Sequence, residues 1–257
     1  MFEEIMDQAA GLRRMLAAAP KPRRITFLSA TGDPTRKLVV ANLAASLARQ
    51  GGETLLVDTR GACPMQETAL LDVVAGRRVL GDAIINRTSS GFARCSLGHG
   101  LQRETVRSRS TDASLCRMLD QLSRRFSTML VDAEPDAQGS LPVSVLEQSW
   151  MVVHVNEQPD TIKKGYALIK QMVASTGKME FGVLVSGVDA SRAGLIYANL
   201  AKTARRYLAV SLHDMGFIPQ DEHVHRAARL GRPVVDAFPS AMASVAFQRV
   251  AGQLSMI

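Results

Sequence analysis

Short apolar runs alternate along this chain with longer stretches whose apolar positions fall three and four residues apart. The runs at 25–29, 53–58, 127–132, 150–155, 181–186 and 213–218 predict strands. The stretches at 37–50, 68–86, 111–125, 159–176, 191–207 and 240–253 predict helices. Strands separated by helix-length segments predict an α/β fold: a doubly wound, mostly parallel sheet with helices on both faces. Parallel neighbours need crossover connections, and these are right-handed. Residues 87–110, rich in Ser, Gly and Arg, break the rhythm and read as a surface excursion. No internal repeat or second domain is visible, so 25–257 is expected to form one α/β domain.

Residues 1–19 stand apart. Phe2, Ile5, Met6, Ala9, Leu12, Met15 and Leu16 recur at helical spacing and form an apolar stripe. Glu3, Glu4 and Asp7 come early and Arg13 and Arg14 late, the order that suits a helix dipole. Pro20 and Pro22 then break the pattern, so 20–24 reads as a linker. Such a tethered amphipathic helix either packs back on its own domain or is offered to a partner's groove.

Composition narrows the choices. With 257 residues, 46% of them hydrophobic, the chain is long enough to bury one sizeable core. No apolar run reaches the roughly 18 residues of a membrane span, and the acidic, amphipathic N-terminus does not read as a signal peptide. Cys63, Cys95 and Cys116 have no metal or redox spacing, and their odd count fits reduced thiols and a cytoplasmic location. A net charge of +7 permits contact with nucleic acid or acidic lipid. Aromatic interleaving is absent and the basic run from Arg103 to Arg109 reads as a solvated loop, so nucleic acid is not an expected partner. His223 and His225 lie two apart in what reads as a polar turn, which makes no metal site.

The most telling stretch is Ser29-Ala-Thr-Gly-Asp-Pro-Thr-Arg-Lys37. It follows the strand Ile25 to Leu28, opens a helix from Leu38 to Ala44, and precedes an acid-tipped strand, Thr54 to Asp58. That order is the βαβ unit of a nucleotide-binding protein. The loop's own chemistry contradicts the placement.

Asp7-Gln8-Ala9-Ala10-Gly11-Leu12-Arg13 is similar to the DQAxxLR motif that opens FlhG (FleN) proteins, MinD/ParA-type P-loop ATPases that regulate flagellar number and placement. Leu71 to Arg78, Pro159 to Lys170, Gly216 to Asp221, Val224 to Ala227 and Arg232 to Val234 resemble segments of the same family in the same order. The resemblance implies a loop reading KGGxGKT. Its glycines let successive N–H groups approach phosphate, its second lysine neutralises the phosphates, and its Thr ligates magnesium. Here Thr31 stands at the signature lysine, Gly32 is the only glycine, and Thr35 precedes Arg36, which stands at the phosphate lysine, with Lys37 at the magnesium Thr. Moving the register so that Lys37 becomes the lysine puts Arg36 before it and Leu38 after it, which fits no better. Asp33 puts a carboxylate where phosphate belongs and Pro34 removes a donor. An uncompensated anion ~4 Å from a phosphate costs roughly 4 kcal/mol at an effective dielectric near 20, about three orders of magnitude in affinity.

The rest of the implied site changes in the same direction. The family's DxD becomes Asp58-Thr59-Arg60, so a carboxylate implicated in activating water is a cation. Asp132 matches the Walker B aspartate that supports magnesium, or is an acid at a strand end making local hydrogen bonds. Ser186 stands where the family often has an adenine-reading Asn. Gly32, Arg36, Lys37, Asp58 and Asp132 are thus the candidate cofactor-binding residues of a degenerate site, with no catalytic or metal-ligating residue and no cofactor expected. Family members usually end in a membrane-inserting amphipathic helix. Here the stripe Val245, Phe247, Val250 and Leu254 lacks a cationic face, so core packing is expected rather than a stable membrane anchor.

The resemblance therefore implies a regulator of flagellar biosynthesis built as a MinD-like pseudo-ATPase scaffold. Its N-terminal helix would bind and stimulate the GTPase FlhF through Asp7, Gln8, Ala9, Leu12 and Arg13. A flagellar transcription regulator or C-ring protein would be a second partner, and recruitment to the cell pole would follow from the first. The alternative is a working ATP-dependent dimerisation switch with Arg36 or Lys37 on the phosphates and ATP and magnesium as cofactors. A DNA-associated ParA-like protein is a weaker one, resting on charge alone.

Overall fold

The computed structural model describes residues 23–61, 63–85, 90–98 and 108–257. Seven strands follow one another as β1 (Arg23–Ser29), β2 (Thr54–Asp58), β3 (Ala93–Ser96), β4 (Thr128–Ala133), β5 (Trp150–Asn156), β6 (Glu180–Ser186) and β7 (Ser211–Ile218). They form one sheet in the order β3-β2-β4-β1-β5-β6-β7, every pair parallel. The helices are α1 (Asp33–Arg49), α2 (Leu70–Val74), α3 (Arg109–Arg125), α4 (Pro159–Thr176), α5 (Ala190–Leu208), α6 (Glu222–Arg229), α7 (Val234–Ala237) and α8 (Met242–Leu254).

The strand period of two divides the sheet's side chains between two cores. Leu28, Val57, Val131, Val153, Phe181 and Val183 face α2, α3, α4 and α5. Phe27, Leu130, Val152 and Leu184 face α1, α6, α7 and α8. Both faces are therefore covered, which is why the central strands, unlike the edge strands β3 and β7, carry apolar runs. From β1 the chain first moves toward β2 and later returns to β5 on the other side. The order of strands reverses at β1, and the crevice beyond its C-terminal end is where open α/β sheets hold ligands.

Several expectations need correction. The stretch 87–110 contains β3, an edge strand paired with β2, so it is not only a surface excursion. Its four residues carry Arg94 in the middle, which hid the apolar pattern. The helix expected over 68–86 is only α2 followed by a 3-10 turn at Leu80–Ala83. Gly76, at φ +70°, takes the left-handed conformation that ends it. β1 begins at Arg23, so Arg23 and Arg24 of the expected linker belong to the sheet. His223 and His225 lie on α6 rather than in a turn. α8 packs on α1 and β7 and buries Phe247, Val250 and Leu254, but Val245 points outward and is 48% exposed. No described helix is long and apolar enough to cross a membrane.

Candidate functional site at the head of helix α1

β1 ends at Ser29 and the chain turns through Ala30, Thr31 and Gly32 into α1. Gly32 is the N-cap, with φ −66° and ψ 160°. This is ordinary extended backbone, and a Cβ built there would meet only Pro34 Cδ, at 4.0 Å. The position does not demand glycine, unlike a loop that curls around an anion with positive φ.

Beneath the loop lies a buried polar chain. The Thr31 amide donates to Ser29 Oγ at 3.2 Å, and the two hydroxyls lie 2.9 Å apart. Ser29 Oγ meets His154 Nδ1 at 2.9 Å, and His154 Nε2 meets Ser186 Oγ at 2.8 Å. The chain thus spans β1, β5 and β6. His154 is wholly buried, and burial pushes its pKa down to about 3. The ring is neutral, so one nitrogen donates and the other accepts.

Arg36 sits in the first turn of α1, yet its side chain is only 2% exposed. Its guanidinium turns inward, with Nη1 paired to Asp132 Oδ2 at the end of β4. On its other edge Nη2 and Nε donate to Asp33 Oδ1 at 3.2 and 3.4 Å. Asp132 is in register with Asp58 of β2 and Phe27 of β1. Its Oδ1 is buried without a hydrogen-bond partner.

The charges continue outward in alternation. Arg60 Nη2 lies 2.8 Å from Glu134 Oε2 and 3.8 Å from Asp33 Oδ1. Lys164 Nζ approaches Glu134 Oε1 at 3.9 Å. The Arg36 guanidinium holds the Asp33 carboxyl below the usual range against a smaller burial penalty, with Arg60 and Lys37 adding to it. Burial, and then the like charge of Arg36, push the Arg60 guanidinium down. Asp58 Oδ1 accepts the Arg60 amide at 2.7 Å, fastening that turn. Lys37 Nζ is 3.8 Å from Asp33 Oδ2 and more than half exposed.

Of the residues the sequence put forward, Gly32, Arg36, Asp58 and Asp132 gather at the C-terminal edge of the sheet, while Lys37 lies toward solvent. Asp7, Gln8, Ala9, Leu12 and Arg13 lie outside the described residues. Sequence reasoning missed His154 and the Arg60–Glu134 pair. A cation at position 60 in place of an acid requires a new counter-charge, and Glu134, two residues past Asp132, was the signal for it.

This topology, with its helix head at the strand-order reversal, is that of the MinD and ParA proteins. MinD cell division protein from Aquifex aeolicus superposes with a TM-score of 0.68 at 16% identity, over 91% of this chain and 97% of that one. The septum site-determining protein MinD of Pyrococcus horikoshii, complexed with Mg-ADP, gives 0.62 at 20% identity, over 90% and 95%. No family model matches the chain. Antiactivator FleN of Pseudomonas aeruginosa is 30% identical over 224 residues, 83% of this chain and 79% of FleN. The chain belongs to the MinD/ParA family of P-loop ATPases, in its FleN-like branch.

Proposed function

We propose that this chain regulates flagellar number and placement as a nucleotide-independent scaffold, and that its N-terminal helix docks on an FlhF-type GTPase and stimulates it. The observation that carries the scaffold reading is the Arg36 guanidinium folded onto Asp132. A magnesium nucleotide needs an unshielded acid at position 132 and free donors at the head of α1. Here Arg36 occupies that acid, the Asp33 carboxylate covers the first turn, and Pro34 offers no donor. The residues present do not fit the Mg-nucleotide that the family fold implies. Arg60, neutralised by Glu134, further removes the family's second carboxylate. The site supplies its own counter-charges and needs no ligand to balance it.

FleN is an antiactivator, which supports a transcription regulator as the second partner of this chain. The docking helix is Asp7 to Arg13, with Asp7, Gln8, Ala9, Leu12 and Arg13 at the contact and the stripe from Phe2 to Leu16 buried in the partner. The test is stimulation of GTP hydrolysis by an FlhF-type GTPase, measured without ATP. Stimulation should survive that omission and disappear in Leu12→Asp with Arg13→Ala. If the double variant stimulates as well as the parent, the helix assignment is wrong.

One observation favours the rival reading, an ATP-dependent switch. Asp132 Oδ1, buried without a partner, is an oxygen that a metal's water could reach after Arg36 swings away. In that reading Arg36 moves onto phosphate, and stimulation of the GTPase requires ATP.

A further inference from the structure

The buried polar chain beneath the loop has a direction, and that direction fixes the tautomer of its histidine. Ser186 Oγ is buried and meets only His154 Nε2 among the described residues. With the ring proton on Nε2, that nitrogen would donate to Ser186 Oγ, and the serine's own hydrogen would have no acceptor. A buried hydroxyl hydrogen left unpaired weighs against an arrangement by roughly ten-fold.

The other tautomer leaves no hydrogen over. Ser186 donates to His154 Nε2 at 2.8 Å, and Nδ1–H donates to Ser29 Oγ at 2.9 Å. Ser29 Oγ already accepts the Thr31 amide at 3.2 Å, so the two donors fill both of its lone pairs. Its own hydrogen then goes to Thr31 Oγ1, 2.9 Å away. The Thr31 hydroxyl donates in turn to the Gly32 carbonyl at 3.5 Å, the longest link. That carbonyl also accepts the Arg36 amide at 3.0 Å, the first hydrogen bond of α1. The run therefore ends on the acceptor that opens the helix.

We infer that Ser186 and His154 are positioning residues for the head of α1: a one-way run of donors, from Ser186 through His154, Ser29 and Thr31 to the Gly32 carbonyl, latches the loop with Thr31 turned into the sheet. Both act through Ser29. Thr31 is 5% exposed, and the run takes up its amide and its hydroxyl alike. Position 31, where the resemblance places the family's signature lysine, therefore offers no group to a nucleotide or to a second chain. This consequence rests on the scaffold reading proposed above.

Nitrogen-15 NMR of the full-length chain tests the direction, because protonated and bare ring nitrogens resonate in separate ranges. The chain has five histidines, and the signals lost in His154→Gln identify the ring. At neutral pH the proton should sit on Nδ1, with Nε2 bare. A ring protonated on Nε2, or on both nitrogens, would overturn the inference. Amide exchange tests the positioning. In Ser186→Ala the Thr31 amide should exchange with deuterium at least about ten-fold faster than in the parent, since the ring no longer holds Ser29. Ser244→Ala is the control: that serine is also wholly buried, but it sits on α8 and donates to the Phe238 carbonyl. It should leave Thr31 exchange within about two-fold of the parent. Unchanged exchange in Ser186→Ala, or equal acceleration in both variants, would overturn the positioning role. The scaffold reading fails separately, by nucleotide binding. Binding in a chain whose Nδ1 carries the proton would leave the donor run standing and remove only its consequence for position 31.

Discussion

Arg36→Ala is the most informative single perturbation. Its side chain is 2% exposed and that of Asp132 6%, so the variant strands a buried carboxylate, one of whose oxygens already lacks a partner. Breaking a buried pair from one side costs about 3–5 kcal/mol, a large part of the roughly 5–15 kcal/mol that holds a domain folded. Asp33, on the other side of the same guanidinium, has a side chain 58% exposed. Solvent screens that contact, so Asp33→Ala should cost no more than about 1 kcal/mol. The Asp132 contact therefore dominates. Adding Asp132→Ala to Arg36→Ala removes the stranded charge, so the double variant should be more stable than Arg36→Ala alone by about 1–3 kcal/mol. Equilibrium urea unfolding with a shared slope measures all four proteins. If Arg36→Ala costs under about 1 kcal/mol, or the second substitution recovers nothing, then the ion pair is not the lock described above.

Two further predictions concern the sheet beneath the site. His154 has its folded pKa pushed down to about 3, against roughly 6.5 unfolded. The unfolded chain therefore binds the extra proton first. Stability from this group is complete above pH ~6.5 and falls by up to about 1.4 kcal/mol per unit as pH drops toward 3. His154→Gln should flatten that part of the profile between pH 6.5 and 4, and identical slopes would show that the ring is not held neutral. Gly165 on α4 lies so close to β5 that an added Cβ would come within 2.5 Å of Val155 Cγ1. Gly165→Ala should cost about 1–3 kcal/mol in the same unfolding assay, despite the helical preference for alanine.

The central strands β1, β2, β4, β5 and β6 were legible because each is largely buried and carries an apolar run. β7, an edge strand only partly buried, was legible from its C-terminal half, where Met215, Phe217 and Ile218 lie. β3 was not, since an edge strand of four residues containing Arg94 has no such run. Helix α2 was overestimated because apolar spacing continues past Gly76, while the backbone there turns left-handed. At the site, the sequence exposed the conflict between an acid, a proline and a phosphate loop. It could not show which way Arg36 points. Whether a first-turn arginine reaches out to a ligand or in to Asp132 depends on where β4 ends relative to α1, a distance set by the sheet. The link from Ser29 through His154 to Ser186 was hidden for the same reason, as its members come from three strands far apart in sequence.

The central claim is that the head of α1 is balanced by its own charges and takes no nucleotide. Calorimetric titration of the full-length protein with Mg-ATP and Mg-ADP, alongside FleN from Pseudomonas aeruginosa as a comparison, tests it most directly. No heat of binding at millimolar nucleotide is the predicted result. Micromolar binding would contradict the account, because Arg36 would have to leave Asp132 and the ATP-dependent switch would then be the better description.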